Sequence, residues 1–150
     1  MPSSRLLPDR GLTSVLSVSE RETLSEYGEF IEIDPDTTLI EEGQPQDSVY
    51  IVISGNLHAF TEKNGKRTLL SRIRAGESIG EINLYDPGVA SASVLAQGYT
   101  SVWKTSHQGL EKFIEANPLA GNKLLIALIT ELSRRIRKTN ELASFQNFWA

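Results

Sequence analysis

The sequence predicts a mainly β domain with flanking helices: a short N-terminal helix, an antiparallel sandwich or barrel, and a long C-terminal helix. Three observations predict it. The apolar period is helical near residue 20, alternating from residue 30, and helical again after Ser106. Between these limits, short β-rich runs recur with glycine turns, which is typical of a sandwich or barrel. Asn64-Gly65 also joins two runs where a type I′ hairpin turn is expected.

Length and composition predict one soluble domain over residues 1–150. The chain is 39% hydrophobic and 23% charged, as globular domains are. It has no cysteine, which excludes disulfides, thiolate nucleophiles and cysteine-ligated metal centres. Because no apolar run reaches the roughly 18–20 residues of a membrane helix, we expect a cytoplasmic protein without membrane contact. A net charge of -4 favours no direct contact with nucleic acid.

The N-terminal part is expected to hold one short helix. Residues 1–10 contain two prolines and no periodicity, which predicts a mobile leader. Ser17 or Ser19 can cap the helix that follows, and Ser19 with Glu22 fits a capping box. We expect this helix to end near Tyr27-Gly28.

The strands follow from alternation and turn residues. In the first strand Phe30 and Glu32 point one way, while Ile31 and Ile33 point the other. Asp34-Pro35-Asp36 is then a turn. The remaining predicted strands cover residues 37–40, 48–53, 57–61, 68–73, 92–96 and 100–104.

Two helices are expected after the strands. The first ends at Asn117-Pro118, and a long one spans about residues 120–145. Apolar or small residues recur along the long helix with gaps of 4-3-4-3-4, at Leu125, Ile129, Leu132, Ile136, Thr139 and Ala143. This narrow heptad seam favours a two-chain coiled coil, with packing on the chain's own barrel as the alternative.

Three segments carry a resemblance to a known family. They are residues 38–43 (TLIEEG), 47–55 (DSVYIVISG) and 75–84 (AGESIGEINL). In this order and spacing they resemble the cyclic-nucleotide-binding domains of the catabolite-activator and protein-kinase-A regulatory families. The resemblance implies an antiparallel β-roll (a double-stranded β-helix, or jelly roll) with a short N-terminal helix and a long C-terminal helix that pairs chains or closes over the pocket.

The resemblance also implies a ligand site. A phosphate-binding cassette would run from Gly80-Glu81 to Val94, with backbone N–H groups presented to a cyclic phosphate. Glu81 would accept hydrogen bonds from the ribose 2′-hydroxyl, and Arg135 would reach toward Glu81 or the anion. The implied ligand-binding residues are Gly80, Glu81, Ile82, Ser91 and Ala92 in the cassette, Arg135, and Thr139 and Asn140 at the purine base.

One departure bears on that site. The cassette of the family usually reads arginine, then alanine or serine, then alanine, whereas this chain reads Ala90-Ser91-Ala92. A hydrogen bond to a charged group contributes about 1.5–3 kcal/mol, so Ala90 removes one to two decades of affinity. Arg135 is a candidate replacement, because guanidinium suits phosphate.

Each of these residues also has a plain structural interpretation. Glu81 would serve equally as a helix-capping carboxylate, and Ser91 as a turn hydroxyl. The basic run Arg134, Arg135, Arg137 and Lys138 is interpreted as a solvated helix face in preference to a surface for nucleic acid or anionic lipid.

The sequence therefore predicts a regulatory sensor module that binds cyclic AMP, cyclic GMP or a related anionic ligand and forms a homodimer through the C-terminal helix. The alternative is a degenerate domain of the same fold, which acts through dimerisation or an unidentified protein partner. A transcription regulator would need a helix-turn-helix after the long helix, and few residues follow Leu142. We therefore expect this chain to regulate transcription only through another polypeptide. His58 and His107 have no metal-ligand spacing and no catalytic motif is present, so we expect neither an enzyme nor a metal or other cofactor.

Overall fold

The computed structural model describes residues 6–80 and 88–149, with side chains as far as Lys138. A 3₁₀ helix over Gly11–Val15 comes first. The α-helices are α1 (Val18–Ser25), α2 (His107–Ala116) and α3 (Pro118–Trp149). The strands are β1 (Glu29–Ile33), β2 (Thr38–Ile40), β3 (Ser48–Ser54), β4 (Asn56–Lys63), β5 (Lys66–Arg74), β6 (Ser78–Ile79), β7 (Ser93–Ala96) and β8 (Thr100–Ser106).

The described strands form two four-stranded sheets with antiparallel pairing. The first has the order β1-β8-β3-β6 and the second the order β2-β7-β4-β5. The chain crosses between the sheets repeatedly, as in a β-roll, so the predicted mainly β fold with a short first helix and a long last helix is confirmed. At the β4–β5 hairpin, Asn64 has φ 55° and Gly65 has φ 75°, the positive values that the predicted turn requires.

Two core layers share the first sheet. Side chains alternate between the two faces of a strand, so neighbours in β3 belong to different layers. Tyr50 and Val52 lie between the two sheets, whereas Val49 and Ile51 pack against the helices on the outer face. This double burial explains why β3 reads as a continuous apolar run.

The first helix is capped by Ser17, the earlier of the two predicted caps, and its capping box pairs Ser17 with Glu20. The Ser17 hydroxyl accepts a 3.1 Å hydrogen bond from the Glu20 amide, and the Ser17 amide donates at 2.8 Å to the Glu20 carboxylate. The predicted box of Ser19 and Glu22 is therefore wrong. The two serine–glutamate pairs have the same spacing, so the spacing does not distinguish them. The burial of Leu16, which is 3% exposed, fixes the extended backbone directly before Ser17.

The N-terminal segment also differs from its prediction. Leu7 is 1% exposed and packs in the helix-side core with Leu12 and Leu16. The Thr13 hydroxyl donates to the carbonyl oxygen of Pro8. The expectation of a mobile leader through residue 10 does not describe this part, because one buried leucine produces no periodicity in a sequence.

The long helix α3 has an inner and an outer side. Ala120, Leu124 and Leu128 are buried against the helix-side core. Of the predicted seam, Ile129 is 63% and Ile136 is 60% exposed, whereas Leu125 packs against the helix-side core. None of the helices in the described part of the chain is long and apolar enough to cross a membrane.

Candidate functional site

A cavity of about 510 Å³ lies between the second sheet, the end of β6, residues 90–92 and α3. It is lined by Ile40, Gln46, Ala59, Leu70, Ser71, Arg72, Ile73, Glu77, Ile79, Gly80, Ala90, Ser91, Ala92, Val94, Glu131, Arg134, Arg135 and Lys138. One side of the cavity is made by strand and loop residues, and the other by charged side chains of the helix.

Gly80 forms one corner of the cavity and is held from two sides. Its φ is 91°, and a Cβ atom there would lie 2.1 Å from the carbonyl oxygen of Ser48, so only glycine fits. The Gln46 side chain donates to the same Ser48 oxygen and closes the loop before β3. Nε2 of His107, the first residue of α2, lies 2.9 Å from the Gly80 carbonyl oxygen. The corner is thus fixed to both β3 and α2.

The loop before β7 forms another corner of the cavity. The amide of Gly43 donates to the carbonyl of Ala90, and the amide of Ala90 donates to the carbonyl of Gln44, both at 2.9 Å. Ala90 is only 7% exposed and belongs to the core between the sheets. Ser91, which follows it, is exposed at the cavity wall. This corner therefore presents one hydroxyl and no charge.

Charged residues of α3 line one side of the cavity. Glu131, Arg134, Arg135 and Lys138 have the spacing i, i+3, i+4 and i+7, which places them on one helix face. Nη2 of Arg135 donates a 3.0 Å hydrogen bond to the carbonyl oxygen of Ser78 on β6. The Glu131 carboxylate lies 3.6 Å from Nε of Arg135 and 3.7 Å from Nη1 of Arg134.

The described lining of the cavity has a surplus of positive charge. Among the lining residues that the structure describes, Arg72, Arg134, Arg135 and Lys138 are basic, and only Glu77 and Glu131 are acidic. Glu77 is also engaged locally, since its carboxylate accepts a 2.8 Å hydrogen bond from the amide of Arg74. A positive and partly apolar cavity favours an anionic organic ligand.

Several residues implied by the sequence meet in this cavity. Gly80, Ser91, Ala92 and Arg135 all line it. Glu81 and Ile82 lie outside the described residues. The backbone of Thr139 and Asn140 belongs to α3, but their side chains are likewise outside the description.

Other lining residues were not identified from the sequence. Arg134 and Lys138 were interpreted only as a solvated face, yet they line the cavity beside Arg135. The helical spacing from Glu131 to Lys138 was the available signal. Gln46 and Arg72 carried no signal, because nothing in the sequence places them opposite α3. No group of three or more potential metal ligands occurs among the side chains that the structure describes, in residues 6–80 and 88–138.

Comparison with known proteins places this geometry in a family. A sequence profile of the cyclic nucleotide-binding domain family matches residues 30–117. The chain is 29% identical over 107 residues to the cAMP-activated global transcriptional regulator CRP of Salmonella typhimurium, a match covering 70% of this chain and 49% of that protein. The chain thus spans about half the length of such relatives.

Solved structures agree with this assignment. The N-terminal domain of a transcriptional regulator from Streptomyces coelicolor is 27% identical with a TM-score of 0.73, covering 91% of this chain and 94% of that one. The catabolite activator protein of Thermus thermophilus, 24% identical with a TM-score of 0.81, covers 91% and 63%. The second match supports the fold alone.

These relatives bear on two sequence-based expectations. They are named as regulators and nucleotide-binding domains, and no enzyme family is indicated. Since several are transcriptional regulators, the expectation of no direct contact with nucleic acid is not supported.

The family of this chain follows from three observations. They are the residues that converge on the cavity, the two-sheet topology and the match over residues 30–117. The chain belongs to the cyclic nucleotide-binding domain family.

Proposed function

We propose that this chain is a regulatory sensor module whose cavity binds cyclic AMP, cyclic GMP or a related anionic ligand. The observation that carries the proposal is the convergence of Gly80, Ser91, Ala92 and Arg135 on one cavity with surplus positive charge. They come from two distant parts of the sequence, residues 80–92 and helix α3, and the family resemblance implies the first part for a phosphate.

Each residue has a proposed role. Gly80 allows the backbone to approach the ligand closely, and the Ser91 hydroxyl donates to a phosphate oxygen. Arg135 supplies the guanidinium that Ala90 lacks. Glu81 would bind the ribose 2′-hydroxyl beside Ile82.

The purine base would be held by α3. Thr139 and Asn140 lie one turn beyond Arg135 on this helix, and they are proposed to hydrogen-bond the base. A ligand that binds the phosphate corner and α3 together favours the conformation in which both are in place. Such preferential binding to one conformer is how a ligand shifts an equilibrium.

Helix α3 would transmit the effect of ligand binding to a partner. Leu125, Ile129, Leu132 and Ile136 lie roughly 140° around the helix from the cavity residues, for 3.6 residues per turn. The helix can therefore contact the ligand on one side and a second copy of the chain on the other. We propose a homodimer through this seam, whose geometry changes with occupancy of the cavity.

Isothermal titration calorimetry tests the proposal directly. Cyclic AMP and cyclic GMP are titrated into the wild type, into Arg135→Gln, and into Arg137→Gln as a control. Arg137 lies on the same helix but does not line the cavity. We expect micromolar or tighter binding of a cyclic nucleotide that Arg135→Gln weakens at least tenfold and the control preserves. Absence of heat with both nucleotides would contradict binding of a cyclic nucleotide in this cavity.

A second function is favoured by Ala90. Without the cassette arginine, the domain would bind no nucleotide and act through dimerisation or a protein partner. The exposure of Ile129 and Ile136, at 63% and 60%, agrees with such a role. A dimer in sedimentation that shows no heat with either nucleotide would support this function over the first.

A further inference from the structure

We propose that Glu131 is a built-in competitor for the anion site, and that Arg134 and Lys138, with Arg135, are the residues that bind the anion. For a nucleotide ligand this inference rests on the proposed function. It assigns the charged contacts of the anion to helix α3, beside the uncharged hydroxyl of Ser91, and it gives the cavity its own negatively charged side chain.

The first support is the position of these residues on the helix. Buried residues of the inner face, Leu124 and Leu128, are followed along the same face by Glu131, Arg135 and Lys138. The spacings of four and three residues keep them in line. The inner face therefore changes from apolar to charged where the helix leaves the core and reaches the cavity.

The second support is the distribution of charge across the cavity. The loop side contributes Ala90, Ser91 and Ala92, none of which is charged. Apart from Arg72 on β5, every basic lining residue of the described part belongs to α3. An anion entering the cavity thus meets its counter-charges on the helix.

The third support is the geometry around Glu131. Its carboxylate lies 3.6 Å from Arg135 and 3.7 Å from Arg134, longer than the roughly 2.7–2.9 Å of a charge-assisted hydrogen bond. The Glu131 side chain is 31% exposed, so these contacts are only partly shielded from water. A carboxylate held this loosely between two guanidinium groups is displaced by an anion that makes shorter contacts, but it opposes binding while it remains there.

The inference predicts opposite effects for two kinds of substitution. Glu131→Gln removes the competing charge, so the Kd for an anion falls by about fivefold or more, as expected for one charge a few ångströms away even in a watery environment. Arg134→Gln and Lys138→Gln each raise that Kd by roughly threefold to tenfold. Matched controls on α2, Glu115→Gln and Lys112→Gln, change the net charge equally and leave the Kd within twofold.

Calorimetry with two probes, cyclic AMP and inorganic pyrophosphate, carries out the test. Thermal unfolding of each variant first establishes that it folds, which we expect because partly exposed ion pairs contribute little to stability. The inference is supported for a given probe if the Kd of that probe falls in Glu131→Gln and rises in Arg134→Gln and in Lys138→Gln.

The outcomes separate this inference from the proposed function. If cyclic AMP binds but Glu131→Gln leaves its Kd unchanged, the competitor role is overturned and the sensor function stands. If only pyrophosphate binds, and binds more tightly to Glu131→Gln, the anion site stands and the nucleotide function fails. If neither probe binds to the wild type or to Glu131→Gln, both are overturned.

Discussion

Nη2 of Arg135 donates a 3.0 Å hydrogen bond to the backbone carbonyl oxygen of Ser78. This bond ties α3 to β6 only two residues before Gly80. The helix that lines the cavity is thereby connected to the corner that would receive the phosphate. An anion that attracts the guanidinium would compete with this bond, so we expect the proposed ligand to affect the position of the helix through this one side chain.

Restoring the cassette arginine tests the role of Ala90. Ala90→Arg adds a guanidinium at the cavity wall, and we expect the Kd for a cyclic nucleotide to fall tenfold or more, since such a bond contributes about 1.5–3 kcal/mol. Ala90→Gln is the control for length without charge. Equal affinity of the two variants in calorimetry would contradict a missing phosphate contact at this position.

The corner at Gly80 should not tolerate a side chain. Gly80→Ala places Cβ 2.1 Å from the Ser48 carbonyl oxygen at a φ of 91°, so we expect a loss of unfolding free energy well above the roughly 1–2 kcal/mol of positive φ alone. Gly65→Ala, with φ 75° and no atom within 4 Å, isolates the backbone effect. Denaturant unfolding measures the free energy of unfolding of both variants. Equal losses in the two variants would contradict the expected steric clash between the new Cβ and the Ser48 carbonyl oxygen.

Breaking the seam should separate chains. Ile129 and Ile136 are 63% and 60% exposed in the single chain, and glutamates at both positions would repel across a paired helix. Sedimentation should show a dimer for the wild type and a monomer for Ile129→Glu with Ile136→Glu. A double variant of α2, Gln108→Glu with Lys112→Glu, should remain dimeric. A wild type that is already monomeric would remove the basis for the seam.

The link between α1 and α3 should weaken in acid. The hydrogen bond from the Ser17 backbone N–H, and then the Lys123 ammonium 3.0 Å away, hold the pKa of Glu20 below its ordinary value of 4.5. Because the pKa is lowered in the folded state, the stabilisation is fully present above pH 4.5 and is lost as the pH falls through the folded value. The stability difference between wild type and Glu20→Gln should disappear across this range, and a difference independent of pH would contradict it.

Local chemistry made most of the fold predictable. The turn at Asn64-Gly65 requires two positive φ values, and the structure has both. The continuous apolar run of β3 identified a strand, although only the structure shows that Val49 and Tyr50 face different core layers. The capping box at Ser17 was missed, because the same spacing recurs at Ser19 and local sequence does not choose between them.

The site was predictable only in part. Gly80, Ser91 and Arg135 were identified by resemblance and they meet in the cavity. Glu131 and Lys138 could not be identified as cavity residues from the sequence. The face of α3 that contacts the barrel is set by the packing of buried residues such as Leu124 and Leu128. Their spacing was visible in the sequence, but it could not distinguish a solvated face from the wall of a cavity.

Thermal unfolding of the purified chain with millimolar cyclic AMP or cyclic GMP tests the central claim most directly. A ligand at 100 times its Kd stabilises by about 2.7 kcal/mol, and roughly 2–4 °C per kcal/mol is typical at this size. We predict a rise of several degrees with a cyclic nucleotide, a smaller rise with its linear monophosphate, and little rise in Arg135→Gln. No rise in the wild type with either cyclic nucleotide would contradict the claim that this cavity is a nucleotide sensor.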